Sequence, residues 1–127
     1  MSEEGEMNIE QDRFPPITVI AEHFGVPVAF RRDVWEGHVA QRHPEVLPYF
    51  DHAISTIEEP EIIARDQRHP ERVYFYRRWP EITDFPGKWL QVLVLLPEAA
   101  SKGIVLSAWA ARRIGGKETI WHATDQA

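Results

Sequence analysis

The chain has 127 residues, 43% of them hydrophobic and 27% charged, with five tryptophans and no cysteine. That length and apolar content suit one domain with its own core and exclude a disordered or collagen-like chain. The absence of cysteine excludes disulfides, thiolate metal sites and cysteine nucleophiles. No apolar run approaches the roughly 20 residues of a membrane-spanning helix, and the acidic start MSEEGEMNIEQD is the opposite of a signal peptide. A cytoplasmic protein with no membrane partner is expected.

The formal net charge of -6 is unevenly placed. Glu3, Glu4, Glu6, Glu10 and Asp12 stand in the first twelve residues without a base, leaving 15 acids against 14 bases in residues 13–127. Residues 1–13 read as a disordered acidic arm, and residues 14–127 as a single, nearly neutral domain. Where bases cluster therefore matters more than their sum. The pairs are Arg31-Arg32, Arg77-Arg78 and Arg112-Arg113, each equally at home on a solvated strand or helix end.

Phe14-Pro15-Pro16 opens a short strand, Ile17 to Glu22, with Ile17, Val19 and Ala21 on one face. Gly25 and Pro27 break it before a second apolar run, Val26 to Phe30; a hairpin and an extended bend both fit. From Asp33, a reasonable N-cap, the period becomes helical, with Trp35 and Val39 four apart. Pro44 disfavours helical geometry in the residue before it, so this helix ends near Arg42-His43. Phe50, Ala53, Ile54 and Ile57 mark a second amphipathic helix that Pro60 stops. Strands follow: EIIAR, then RVYFYRR with Val73 and Phe75 opposite Tyr74 and Tyr76. KWLQVLVLL is apolar on both faces, as a central strand would be, and GIVLSAWAAR should pair with it antiparallel. ETIWHATDQA closes the chain, with Trp121 docking back. The predicted fold class is α+β: a twisted antiparallel sheet with two helices from the N-terminal half packed on one face.

The densest polar cluster is WEGHVAQRHPE, Trp35 to Glu45. His38 and Arg42 are four apart and share a helix face, and His43 stands at the helix exit. Two imidazoles that titrate near neutrality, with a guanidinium between them, are the parts needed to cleave a phosphodiester. One imidazole takes the proton of the 2′-hydroxyl and the other protonates the leaving oxygen, while Arg42 stabilises charge on the phosphoryl group. The plain alternative packs His38 on the sheet, caps a helix with His43 and pairs Arg42 with Glu45.

A metal site built from His23, His38, His43, His52, His69 and His122 is the second chemical reading. No HExxH pattern occurs, and the five-residue step from His38 to His43 misaligns two ligands on a helix, so neither metal nor cofactor is expected. Ser107 and Trp109 share a strand face, opposite Ile104, Leu106 and Ala108. If the helices cover the Ile104 face, Ser107 is open to a phosphate; if they cover its own face, it is a bonded core serine. Tyr74, Tyr76, Trp79 and Trp89 offer stacking surface for bases, although aromatics in strands more often pack.

The order of these motifs resembles the phage-associated group of the barnase–EndoU–colicin–RelE-like nuclease fold. The resemblance rests on Trp35, His38 and Arg42-His43-Pro44-Glu45, then Pro60-Glu61-Ile62, Tyr74-Phe75-Tyr76, the LQVLVLL strand and Val105-Leu106-Ser107-Ala108-Trp109. It covers about residues 33–121. The family has threonine and tyrosine where this chain has Ser107 and Trp109. The resemblance implies metal-independent RNA cleavage with His38, Arg42, His43 and Ser107 lining the cleft. Tyr76, Lys88 and Trp109 are the expected substrate-binding residues, RNA is the expected partner, and a protein partner or antitoxin is a further one. A catalytically inactive interaction module of the same fold is the alternative.

Overall fold

The strand Trp89–Leu95, apolar on both sides in the sequence, lies at the centre of a seven-stranded sheet in a computed structural model that describes residues 17–123. The expected acidic arm, residues 1–13, lies outside the described residues. In chain order the strands are β1 (Ile17–Ala21), β2 (Val26–Phe30), β3 (Ile62–Asp66), β4 (Arg72–Arg77), β5 (Trp89–Leu95), β6 (Gly103–Ala111) and β7 (Lys117–His122). Across the sheet they run β1-β2-β6-β5-β4-β3-β7.

The first two strands form a hairpin whose turn uses Gly25 at φ 67°, a conformation glycine adopts without a Cβ penalty. The sheet is mixed rather than purely antiparallel: β2 and β6 run parallel through Val28–Gly103 and Ala29–Ile104, and every other neighbouring pair is antiparallel. A parallel neighbour requires a long crossover, and the helices with three intervening strands supply it. The closing segment, expected only to dock Trp121, is a full strand, β7, paired antiparallel with β3.

Between β2 and β3 the chain is helical. Arg32–Val34, Trp35–Val39 and Ala40–Arg42 run on as one helix, α1, whose middle stretch is a π turn. Its N-terminus differs from expectation. Asp33 lies inside the first turn and pairs with Arg31 at 3.0 Å, and no side chain caps the helix. It ends at Arg42 because His43, ahead of Pro44, takes φ -138° and ψ 60°. Pro44–Tyr49 then forms a separate 3-10 turn, and Phe50–Glu58 forms α2.

Both helices bury their apolar sides against the face of the sheet that carries Val19, Val28, Phe75, Leu90, Val92 and Val105. On α2 the buried Thr56 hydroxyl donates to His52 O at 2.7 Å and accepts from Trp79 Nε1 at 3.0 Å, so this polar group costs the core little. No helix among the described residues is long and apolar enough to cross a membrane.

Trp35 ties the helical layer together. Its buried ring meets Phe30 at 5.7 Å and Phe50 at 5.3 Å, and its Nε1 donates to Leu47 O at 2.8 Å. Trp35→Phe keeps an aromatic ring but leaves Leu47 O without its donor, and an expected loss of about 1–2 kcal/mol follows. Trp35→Ala also opens a cavity and should lose about 3–5 kcal/mol. Urea denaturation of both variants checks this; an unchanged midpoint for Trp35→Ala would show that α1 is held by other contacts.

Candidate functional site

The sheet face turned away from the helices is not bare. Ladder register places Ile62, Tyr76, Gln91 and Trp109 in one row across four strands, and Ala64, Tyr74, Leu93 and Ser107 in the next. These side chains close the face themselves: Ile62, Ala64, Tyr74, Tyr76 and Ala111 form a second core, packed by Trp89, Leu93, Trp109 and Ile114. The rings touch in series. Tyr74 stacks near Tyr76 at 6.4 Å, and meets Trp109 at 6.3 Å, while Tyr76 meets Trp89 at 6.2 Å.

Cations stand at two corners of this layer. Arg78 lies 4.4 Å over the Trp89 ring, held by Glu61, and Lys117 lies 4.5 Å over Tyr74. Burial lowers the Lys117 ammonium from its usual value and raises the Tyr74 and Tyr76 hydroxyls.

At the β6 edge the histidines enter. β2 accompanies β6 only at Gly103 and Ile104; beyond that the edge meets α1 and the 3-10 turn, and Glu45 Oε2 accepts from the Ala110 backbone N–H at 3.4 Å. His43 stacks on Trp109 with centroids 5.2 Å apart and planes at 25°. Its ring lies 6.4 Å from that of His38. In a regular α-helix residues five apart point about 140° away from each other. Here the Ala40 N–H reaches back to Trp35 O, and in such a widened turn residues five apart become neighbours. That widened turn ends before the His38–His43 step: the His43 N–H bonds Val39 O at 2.7 Å, four residues back, and the extended backbone at His43, φ -138° and ψ 60°, turns its ring toward His38, against the expected misalignment. Even so, among the described residues no three His, Asp or Glu side chains gather in a way that could hold a metal ion.

Of the residues singled out in sequence, His38 is exposed, His43 half-buried and Trp109 half-buried, and these three meet. Arg42 ends α1, exposed, and forms no ion pair with Glu45, whose carboxylate faces β6 instead. Ser107 realises neither of the two expected arrangements. A bulge between its pairing and that of Val105 puts Ile104 on the same face as Ser107, away from the helices. There it is nevertheless buried, by neighbouring side chains, with Oγ unpartnered among the described residues. Tyr76 is buried in the same layer. Lys88 sits apart, lining a cavity of about 260 Å³ with Arg78, Trp79 and Phe85.

The residue missed in sequence is Gln91, 1% exposed between Tyr76 and Trp109. A lone amide inside LQVLVLL was the available signal. The arginine pairs are largely spent on carboxylates: Arg31 on Asp33, Arg32 on Glu36, Arg77 on Glu59 and Arg78 on Glu61.

Burial against Trp109 holds the His43 imidazole below the ordinary histidine range; Glu45 opposes the shift, and His38 and Arg42 reinforce it. Burial lowers His23 likewise. A histidine whose folded pKa is depressed takes up its proton more readily when unfolded, so stability is full above the ordinary value of 6.5 and declines as pH falls through it. Melting temperature should drop between pH 7.5 and 5, and His43→Asn should flatten part of that slope. An identical slope in the variant would remove His43 from the account.

No protein-family model, curated protein or solved structure matches this chain.

Proposed function

We propose that the domain is a metal-independent ribonuclease acting at the β6 edge, with His38 and His43 as its acid–base pair. The observation that carries this reading is the approach of the two imidazoles, 6.4 Å between ring centres, beside an aromatic face with cations at its corners. Each imidazole can reach an oxygen of one phosphoryl group by a hydrogen bond of about 3 Å. His43, with its lowered pKa, is the neutral member and takes the proton of the ribose 2′-hydroxyl. The 2′-oxygen then bonds to phosphorus, the bond to the 5′-oxygen breaks, and His38 as imidazolium protonates that oxygen. The products are a 2′,3′-cyclic phosphate and a free 5′-hydroxyl. Arg42, exposed at the end of α1 and unpaired among the described residues, supplies charge to the phosphoryl oxygens. The half-buried Trp109 offers a base a stacking surface next to His43. The resemblance of the Trp35–Glu45 segment and following strands to the barnase–EndoU–colicin–RelE-like nucleases supports the same assignment.

A second reading, a non-catalytic protein-binding module of the same fold, draws on other side chains. Ile104 on the helix-free side and Leu106 at the bulge are exposed at 41% and 36%, apolar side chains that suit a protein partner.

Cleavage and melting assays on the same variants separate the two. His38→Ala and His43→Ala should each cost on the order of 100-fold in rate; the exposed His38→Ala should leave the melting temperature nearly unchanged, and His43→Ala should lower it slightly through the lost stacking on Trp109. Arg42→Lys should also slow cleavage, because an ammonium lacks the planar two-donor fork. The wild-type rate should trace a bell against pH. Its acid limb should lie below the ordinary histidine range, because His43 must lose its proton before it can act as base. Excess EDTA should leave the rate as it was. Absence of cleavage on every RNA offered, or alanine variants as fast as the wild type, would sink the enzymatic reading.

A further inference from the structure

Three polar groups beneath the aromatic layer take no part in the acid–base step. Tyr76 Oη, Gln91 Nε2 and Ser107 Oγ are enclosed, and none has a hydrogen-bond partner among the described residues. Buried polar groups are nearly always paired, since a donor stripped of water and given nothing in return opposes folding. Three such groups on three adjacent strands, all on the helix-free face, call for a common explanation.

Register gives their arrangement. Tyr76 stands opposite Gln91, and Gln91 opposite Trp109; Ser107 lies in the adjoining row, opposite Leu93. With strands about 4.8 Å apart, Gln91 is one strand spacing from the tryptophan on which His43 stacks. The groups are one amide donor and two hydroxyls that donate or accept, without charge. Around them the walls are the flat rings of Tyr74, Trp89 and Trp109. A phosphate would require cations at this depth. An uncharged, donor-rich edge between aromatic walls suits the carbonyl-bearing edge of a planar heterocycle, which is how single-stranded bases are held.

We propose that Tyr76, Gln91 and Ser107 form a recognition subsite for the nucleobase adjoining the scissile phosphate, with Gln91 Nε2 donating to a base carbonyl. The identity of the ligand class rests on the ribonuclease reading; the need of these groups for a partner does not. Entry passes through the cover of Trp89, Trp109 and Ile114, each only half-buried. Ile114 belongs to the β6–β7 connection, outside regular structure.

The test measures equilibrium binding of uncleavable 2′-O-methyl tetranucleotides, one for each base, to the full chain by fluorescence anisotropy. RNA cleavage is assayed separately. The wild type should prefer one base over the weakest by about tenfold or more, the cost of leaving one buried polar group unpaired. Gln91→Met and Tyr76→Phe keep shape while deleting the unpartnered group. Both should lose most of the preference and melt at or above the wild-type temperature. Should Gln91→Met fail to fold, Tyr76→Phe and Ser107→Ala carry the same test. Base-blind binding by the wild type overturns the proposal. So does a preference that survives Gln91→Met and Tyr76→Phe, which would assign these groups to buried water. Selective, Gln91-dependent binding without any cleavage upholds the subsite and removes the catalytic reading. Cleavage with base-blind binding does the reverse.

Discussion

Helices cover only one side of this sheet, while its central strand β5 is apolar on both and is fully buried on one side and largely covered on the other, and much of the rest of the structure follows from that inequality. Leu90, Val92 and Val94 have α1 and α2 above them and form part of the main core. Trp89, Gln91 and Leu93 on the other side have no helix, so the sheet must close that face with its own large side chains. Tyrosines from β4 and tryptophans from β5 and β6 are large enough to do so, each covering the gap between neighbouring strands. The result is a layer that is part core and part surface. It offers the half-buried rings of Trp89 and Trp109 to the outside, with Arg78 lying over Trp89 and Lys117 over the buried Tyr74.

Two local irregularities bring the polar groups to this layer. The extended backbone at His43, ahead of Pro44, sets its ring beside that of His38, where continued helix would separate them. The bulge in β6 shifts the register after Val105, which turns Ser107 and Trp109 toward the helix-free face together with Ile104. Both lie next to the β6 edge that β2 leaves after Ile104. A helix stop and a bulge in the facing strand thus act on the same corner of the molecule. Glu45 fastens the two elements there through the Ala110 N–H.

Stability and surface charge point the same way. Four of the ten described arginines, Arg31, Arg32, Arg77 and Arg78, are engaged with nearby carboxylates in surface pairs, which contribute little to folding. The unpartnered hydroxyls and amide of Tyr76, Ser107 and Gln91 oppose folding instead. Locally unfavourable choices of this kind are expected where a protein binds something, with the cost offset elsewhere. Here the offset comes from the helix-bearing core, where Trp35 and Thr56 have their polar atoms satisfied.

How much of this was legible without coordinates follows from the range of the interactions involved. The positions of β1, β3 to β6 and both helices, the opposed faces of β4 and the central place of β5 were readable, because each depends on the periodicity of neighbouring residues. The end of α1 at His43 was readable for the same reason, as Pro44 acts on the residue before it. The parallel β2–β6 contact was not, since nothing local distinguishes it from an antiparallel one. Nor was the closeness of His38 and His43, which a spacing of five residues argues against unless the chain leaves the helix between them. Ser107 had two arrangements on paper, and a single bulged residue produced a third. Gln91 stood in the sequence as one polar letter in an apolar strand. Only the pairing of three strands placed it between Tyr76 and Trp109, because side chains distant along the chain become neighbours through register alone.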